Sequence, residues 1–221
     1  MDTYRIDTKA DLYEVENTFY LRAPVGRLGK LMAHAELYRR IVGLPGAVVE
    51  CGVYKGASLM RFLAFRRLFE TDESRRVIGF DAFGRFPVAP GEDTDGRGFI
   101  AKFEAAGGLG IARPDLEAAM AAKGFGGVAL VEGDVFRTVP DYLAAHPELR
   151  IALLHLDMDV APPTRFALEQ MAARMVPGGL VVFDDYGVVG GATEVADEFA
   201  ASRGLRLEKL SFYSVPAFIV V

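Results

Sequence analysis

Short apolar runs alternate along the chain with longer segments of helical period, and that alternation predicts an α/β fold. Seven runs read as strands: Ala47–Glu50, Arg76–Phe80, Val128–Val131, Ile151–Leu156, Leu180–Phe183, Leu205–Leu210 and Phe218–Val221. Several are apolar at successive positions, as at Leu153–Leu154 and Val181–Val182–Phe183. Strands covered on both faces of a parallel sheet have that pattern. Between them, Leu59, Phe62, Leu63 and Leu68 share one helical face, and Ala192, Val195, Ala196 and Phe199 recur at three and four residues. Pro114-Asp115 and Pro163-Thr164 mark helix starts. The expectation is a doubly wound, mostly parallel, seven-stranded sheet of Rossmann-like type, forming one domain over residues 1–221.

Two segments break the rhythm. Residues 1–46 mix Tyr4, Tyr13, Phe19 and Tyr20 with charges, and read as helices laid over the sheet's edge, serving as a lid. Residues 84–113 are rich in glycine, with Pro87, Pro90, Glu92, Asp93 and Asp95. A loop that long in a compact domain is usually functional, and this one is expected to cover a ligand.

Composition narrows the function classes. A chain of 221 residues is one domain of ordinary size, and 51% hydrophobic with 25% charged residues is globular composition. Cys51 is the only cysteine, which excludes a disulfide scaffold and a cysteine-based zinc site. With 25 Lys+Arg against 30 Asp+Glu the net charge is −5, and no dense basic run speaks for nucleic acid. Arg66–Arg67 and Arg75–Arg76 stand beside acids and read as solvated helix and loop ends. No apolar stretch approaches the roughly 20 residues that cross a bilayer. The acidic start, with Asp2, Asp7, Asp11, Glu14 and Glu16, is unlike a secretory signal, so a cytoplasmic location is expected.

Candidate chemistry gathers after the strands. The first runs into Glu50-Cys51-Gly52-Val53-Tyr54-Lys55-Gly56-Ala57-Ser58 and then a helix. Such glycines let backbone approach a ligand, or simply make a tight turn. The spacing fits neither the three-glycine dinucleotide fingerprint nor a P-loop. A glutamate there repels a diphosphate and suits a cationic amino acid moiety, such as the methionine end of S-adenosylmethionine. Asp81 follows the second strand, where an acid commonly meets ribose hydroxyls, and Asp134 follows the third. The fourth strand delivers His155-Leu156-Asp157-Met158-Asp159 and the fifth ends Asp184-Asp185-Tyr186. In a doubly wound sheet these two ends are neighbours. Four carboxylates so close need a cation or protons between them, and oxygen-only ligands suit Mg²⁺; the alternative is solvated loop acids. His155 reads as a packed strand residue or a donor behind the ligands.

Together, Val48–Gly56, Gly79-Phe80-Asp81-Ala82-Phe83, His155–Asp159, Asp184-Asp185-Tyr186-Gly187 and Ala192–Phe199 resemble the macrocin O-methyltransferase family, from about residue 15 to the C-terminus. The resemblance implies a class I methyltransferase fold and an enzyme that uses S-adenosylmethionine and Mg²⁺ to methylate sugar hydroxyls on natural products. It implies Asp157, Asp184 and Asp185 as metal ligands and Asp159 as general base. Glu50, Gly52, Val53, Tyr54, Gly56, Ser58, Asp81 and Asp134 would surround the cofactor. The chain departs from the family at Val160-Ala161-Pro162-Pro163, where a tyrosine is usual, and at Gly84-Arg85-Phe86-Pro87. Both departures border the expected acceptor pocket. A small-molecule or saccharide hydroxyl is the expected partner, with neither nucleic acid nor membrane, and the aromatic N-terminal arm suits a homodimer. Other classes on the same sheet are an NAD(P)-dependent oxidoreductase and a non-catalytic nucleotide-binding protein. The missing third glycine speaks against the first and the aspartate cluster against both.

Overall fold

The runs that are apolar on both faces become the centre of one sheet, because helices cover each face and leave no side of those strands to water. The computed structural model describes residues 3–87 and 94–221, with the side chains of residues 94–97 and 99 excepted. In chain order the strands are β1 (Ala47–Cys51), β2 (Val77–Asp81), β3 (Val128–Glu132), β4 (Ile151–Leu156), β5 (Met175–Phe183), β6 (Glu208–Leu210) and β7 (Tyr213–Val220). Their spatial order is β3-β2-β1-β4-β5-β7-β6. Pairs from β3 through β5 are parallel, and β7 runs antiparallel to both of its neighbours, so the sheet is mixed. The chain leaves β1 toward β2 and β3, then returns to β4 on the other side. A crevice opens at that reversal, beyond the carboxyl ends of the strands.

Period-two alternation splits the core into two layers. Val48 and Val77 point to the layer shared with α2 (Val25–Ile41), α3 (Ala57–Phe69) and α5 (Arg113–Ala122). Val49, Cys51 and Ile78 point to the layer shared with α6 (Val135–Ala145), α7 (Ala161–Met171) and α8 (Gly190–Arg203). Ala192, Val195, Ala196 and Phe199 are all buried, as their spacing predicts, whereas Leu68 at the end of α3 is exposed.

The structure differs from the sequence pattern in four further places. The N-terminal segment does not lie over the sheet's edge: α2 packs on its face, burying Ala33, His34, Leu37, Tyr38 and Ile41, while α1 (Leu12–Arg22) buries nothing. Residues 84–113 are not one loop, since α4 spans Thr94–Gly107. The helix formers from Ala101 to Ala106 outweigh Gly96 and Gly98 there. Pro90, Glu92 and Asp93 lie outside the described residues, as does the side chain of Asp95.

Arg66 and Arg75 are buried rather than solvated. Arg66 donates to the Arg75, Gly126 and Gly127 carbonyls, and Arg75 pairs with Glu70 at 2.7 Å and donates to the Ile41 carbonyl at 2.9 Å. Each planar fork satisfies loop carbonyls that the fold buries, and this makes its own burial tolerable. Finally, β5 begins five residues earlier than its apolar run, because β4 pairs with it across Gly178 and Gly179, where no side chain announces a strand. Among the described residues no helix is long and apolar enough to cross a membrane.

Candidate active site

A cavity of about 430 Å³ lies at the carboxyl ends of β1, β2, β4 and β5. Gly52, Val53 and Tyr54 enter it from the turn after β1, Asp81 from β2, Asp134 from the start of α6, Asp157 and Asp159 from β4, and Asp184 and Asp185 from β5. Ser58 joins them from the first turn of α3.

The β1 turn is shaped by close approach. Gly52 has φ +93°, and a Cβ on it would stand 1.8 Å from the Asp157 carbonyl oxygen. Only glycine lets the two strand ends meet, and there the Asp157 N–H donates to the Cys51 carbonyl at 2.9 Å. Asp81 braces the same turn: one carboxylate oxygen accepts from Val53 N–H at 2.7 Å and Tyr54 N–H at 2.9 Å, the other from Phe83 N–H at 2.6 Å. Burial pushes its pKa up against those bonds. Asp134 caps α6 by accepting from Phe136 N–H at 3.0 Å.

Two expected cofactor residues do not line the cavity. Gly56 adopts φ +83° to start α3, and a Cβ there would press on Leu116. Glu50 is fully buried within β1, where its Oε1 lies 3.0 Å from His155 Nδ1. Depth along the strand explains the difference: Glu50 lies within β1 in the sheet interior, and the cavity begins beyond the strand's end at Gly52.

The four aspartates do converge. One oxygen each from Asp157, Asp184 and Asp185 lie within 4.8 Å of one another. Pairing of Leu156 with Phe183 brings the two strand ends side by side. Asp159 stands next to them with φ +64°, its N–H donating to Asp185 Oδ2 at 3.1 Å. A left-handed aspartate costs on the order of 1 kcal/mol, and such conformations concentrate at functional sites.

Asp184 is the most heavily tied of the set. Lys30 of α2 donates to its Oδ2, while His155 Nε2 at 3.3 Å and His34 Nε2 at 3.5 Å approach its Oδ1. Burial opposes its ionisation, yet the bonds from His155 and His34 hold it well below the usual carboxylate range. For His155, burial disfavours the charge but the bonds to Asp184 and Glu50 prevail, lifting it to about 10. Burial lowers His34 to about 4. The other carboxyls go the opposite way: burial and then the neighbouring charges raise Asp157 well above its ordinary value, Asp159 to about 7 and Asp185 to about 6. Lys30 and His155 do not balance four carboxylates. An all-oxygen pocket with surplus negative charge suits a hard divalent cation.

Sequence reasoning did not find Lys30, Arg27 or Arg61, nor His34 behind Asp184, nor Phe103 and Phe136 on the apolar wall; Phe86, expected at the border of the acceptor pocket, does line the cavity. A signal existed for two of them. Lys30 and His34 share a helical stripe with Leu37 and Ile41, so a lysine and a histidine sit on the face that the pattern marks as buried.

Known proteins resemble this chain in sequence and fold. The family model for macrocin O-methyltransferases matches residues 25–212. Over 150 residues the chain is 32% identical to 8-demethyl-8-(2,3-dimethoxy-alpha-L-rhamnosyl)-tetracenomycin-C 4'-O-methyltransferase of Streptomyces olivaceus, a match covering 66% of this chain and 55% of that relative. The chain thus spans about half the length of that relative. Among solved structures, the calicheamicin methyltransferase CalS11 superposes with a TM-score of 0.70 at 26% identity, covering 97% of this chain and 87% of that one. The O-methyltransferase NovP shares the fold, with a TM-score of 0.73 at 20% identity over 86% of this chain and 78% of that one. The family match runs from α2 to the turn before β7, and on that ground this chain belongs to the macrocin O-methyltransferase family.

Proposed function

We propose that the protein transfers a methyl group from S-adenosylmethionine to a sugar hydroxyl, with Mg²⁺ held by Asp157, Asp184 and Asp185 and with Asp159 as general base. The single observation that carries this reading is the convergence of those three carboxylates within 4.8 Å, in the same cavity as the Gly52–Tyr54 turn and Ser58. S-adenosylmethionine supplies an electrophilic methyl on sulfur. Mg²⁺ supplies Lewis acidity that lowers a hydroxyl's pKa and fixes its direction. The tetracenomycin relative is named for a rhamnosyl acceptor and CalS11 for TDP-rhamnose, so a deoxyhexose is the acceptor class we favour.

The chain's own residues then have distinct tasks. The turn of Gly52, Val53 and Tyr54 faces the methionine end, Gly52 allowing close approach, while Asp81 and Asp134 face the nucleoside from the ends of β2 and β3. Asp81 holds the turn to which the ligand binds, so its contribution is partly preorganisation. Asp159, on the same cavity wall as the three ligand aspartates, accepts the hydroxyl proton. Its backbone bond to Asp185 fixes where that carboxylate stands. Phe86, Ile100 and Phe103, which line the cavity, cover the acceptor and exclude water.

The test is methyl transfer from labelled S-adenosylmethionine to rhamnose-bearing acceptors, with and without EDTA. Thermal shifts with S-adenosylhomocysteine, NAD and Mg²⁺ separately accompany it. Methylated sugar that disappears with EDTA is expected; stabilisation by NAD alone would sink the reading.

A further inference from the structure

Among the described residues five cationic side chains line the cavity, and three have hydrogen-bond or ion-pair partners. Lys30 donates to Asp184, Lys55 donates to the Gly107 carbonyl, and Arg85 pairs with Glu104 at 3.4 Å. Arg27 of α2 and Arg61 of α3 have neither a hydrogen bond nor an ion pair among the described residues. They lie close enough to act on each other: burial first, and then the charge of Arg27, hold Arg61 below the ordinary arginine value. The weaker effects of the Asp184 and Glu50 charges do not offset this, and two like charges on one cavity wall, neither of them hydrogen-bonded to a carboxylate, form a site that an anion relieves.

Position narrows the anion. Arg27 precedes Lys30 by one helical turn, Lys30 reaches Asp184, and the charge of Asp184 also acts on Arg61, so the pair borders the carboxylate cluster within one cavity. An acceptor with one hydroxyl at the aspartates has the two arginines beside it. The planar forks of two arginines match phosphate oxygens bidentately. A lone carboxylate, such as that of the cofactor's methionine, would leave one of the two charges unanswered.

We propose that Arg27 and Arg61 form an anion subsite that seats a phosphate or diphosphate on the anomeric oxygen of the acceptor, so that the enzyme methylates an activated sugar rather than a neutral glycoside. The inference rests on the sugar methyltransferase reading above. In the reaction the C–S bond of the cofactor breaks, the O–CH₃ bond forms, the hydroxyl proton passes to Asp159, and the phosphate is untouched. The product is then a methylated glycosyl donor, and the class of reaction that consumes it is glycosyl transfer.

The experiment compares TDP-rhamnose, rhamnose 1-phosphate and methyl rhamnoside as acceptors for the full chain and for Arg27→Gln, Arg61→Gln and Arg61→Lys. S-adenosylhomocysteine affinity is measured for each by calorimetry. The wild type should prefer the phosphorylated acceptors in kcat/KM by at least about tenfold, as expected for a charge-assisted contact. TDP-rhamnose outperforming rhamnose 1-phosphate assigns the diphosphate; equal use assigns a single phosphate. Either glutamine variant should collapse the preference through KM, Arg61→Lys should restore part of it, and S-adenosylhomocysteine binding should stay within about twofold. A lost S-adenosylhomocysteine affinity in Arg61→Gln would give the pair to the cofactor's carboxylate and overturn the proposal. Equal or better use of methyl rhamnoside by the wild type overturns it too, and leaves the sugar methyltransferase reading standing. Failure of all three acceptors with S-adenosylhomocysteine bound overturns both.

Discussion

Replacing Gly52 with alanine tests whether the meeting of β1 and β4 is what builds the site. The added Cβ would stand 1.8 Å from the Asp157 carbonyl oxygen, and real Cβ atoms essentially never come within 3.0 Å, so one strand end must move by about 1.2 Å. Neither neighbour is a flexible side chain. Forcing φ +93° on a residue with a Cβ costs about 1–2 kcal/mol, and overpacking against backbone adds about 1–3 kcal/mol. The expected loss is therefore about 2–5 kcal/mol. For a chain of this length each kcal/mol lowers Tm by about 2–4 °C, which puts the drop at roughly 4–20 °C in a thermal melt. Gly43→Ala is the control: nothing lies within 4 Å of its Cβ, and its stability should change by less than about 0.5 kcal/mol. Because the displaced atoms belong to Asp157, Gly52→Ala should also weaken Mg²⁺ and S-adenosylhomocysteine binding when assayed well below both melting temperatures. A Tm within 2 °C of wild type with ligand affinities intact, read against about 4 °C at least, would refute the reasoning.

Asp157→Asn should raise the Mg²⁺ concentration needed for activity, whereas Asp159→Asn should leave metal affinity nearly intact and lower the rate by roughly 10²–10⁴-fold; identical responses of the two variants to added metal would show the roles to be misassigned. Lys30→Met removes the cation that α2 lends to Asp184, so the metal-free protein should lose about 1–3 kcal/mol and gain a larger Tm increase from Mg²⁺ than wild type does. An EDTA-treated variant as stable as wild type would count against that. Asp81→Ala should weaken S-adenosylhomocysteine by an amount worth about 1.5–3 kcal/mol in calorimetry, since three backbone N–H groups lose their acceptor; unchanged affinity would remove Asp81 from the site.

Which parts of this molecule are legible in its sequence follows from how local their causes are. The strands announce themselves because burial on both faces writes unbroken apolar runs, and the aspartates because each ends such a run. Met175–Gly179 does not, since its strand character comes from pairing with β4 and not from its own side chains. Glu50 reads as a rim residue because an acid rarely sits inside a sheet; its partner, His155, is 105 residues away. Arg66 and Arg75 mislead in the same way, their burial being made tolerable by carbonyls that only the folded loops bring near. Lys30 reaches Asp184 across 154 residues, and no spacing rule spans that distance. Fold is thus largely a local property here, while the site's charge balance is a long-range one.

The row of polar groups from Glu50 through His155 to Asp184 runs across β1, β4 and β5 with no apolar residue between the members. Each interior member answers to two neighbours at once, so these positions do not vary independently. Changing Glu50 to an apolar residue leaves His155 Nδ1 without its partner; changing His155 leaves Glu50 alone in a dry interior and takes one of three partners from Asp184. A lineage can cross between two compatible versions of the row only through single substitutions that are each worse than either end, and their effects will be far from additive. The three codons are therefore inherited as one unit. Phe86 and Val160 on the cavity wall belong to no such row, so the lining there is free to change while the polar row beneath it is held still.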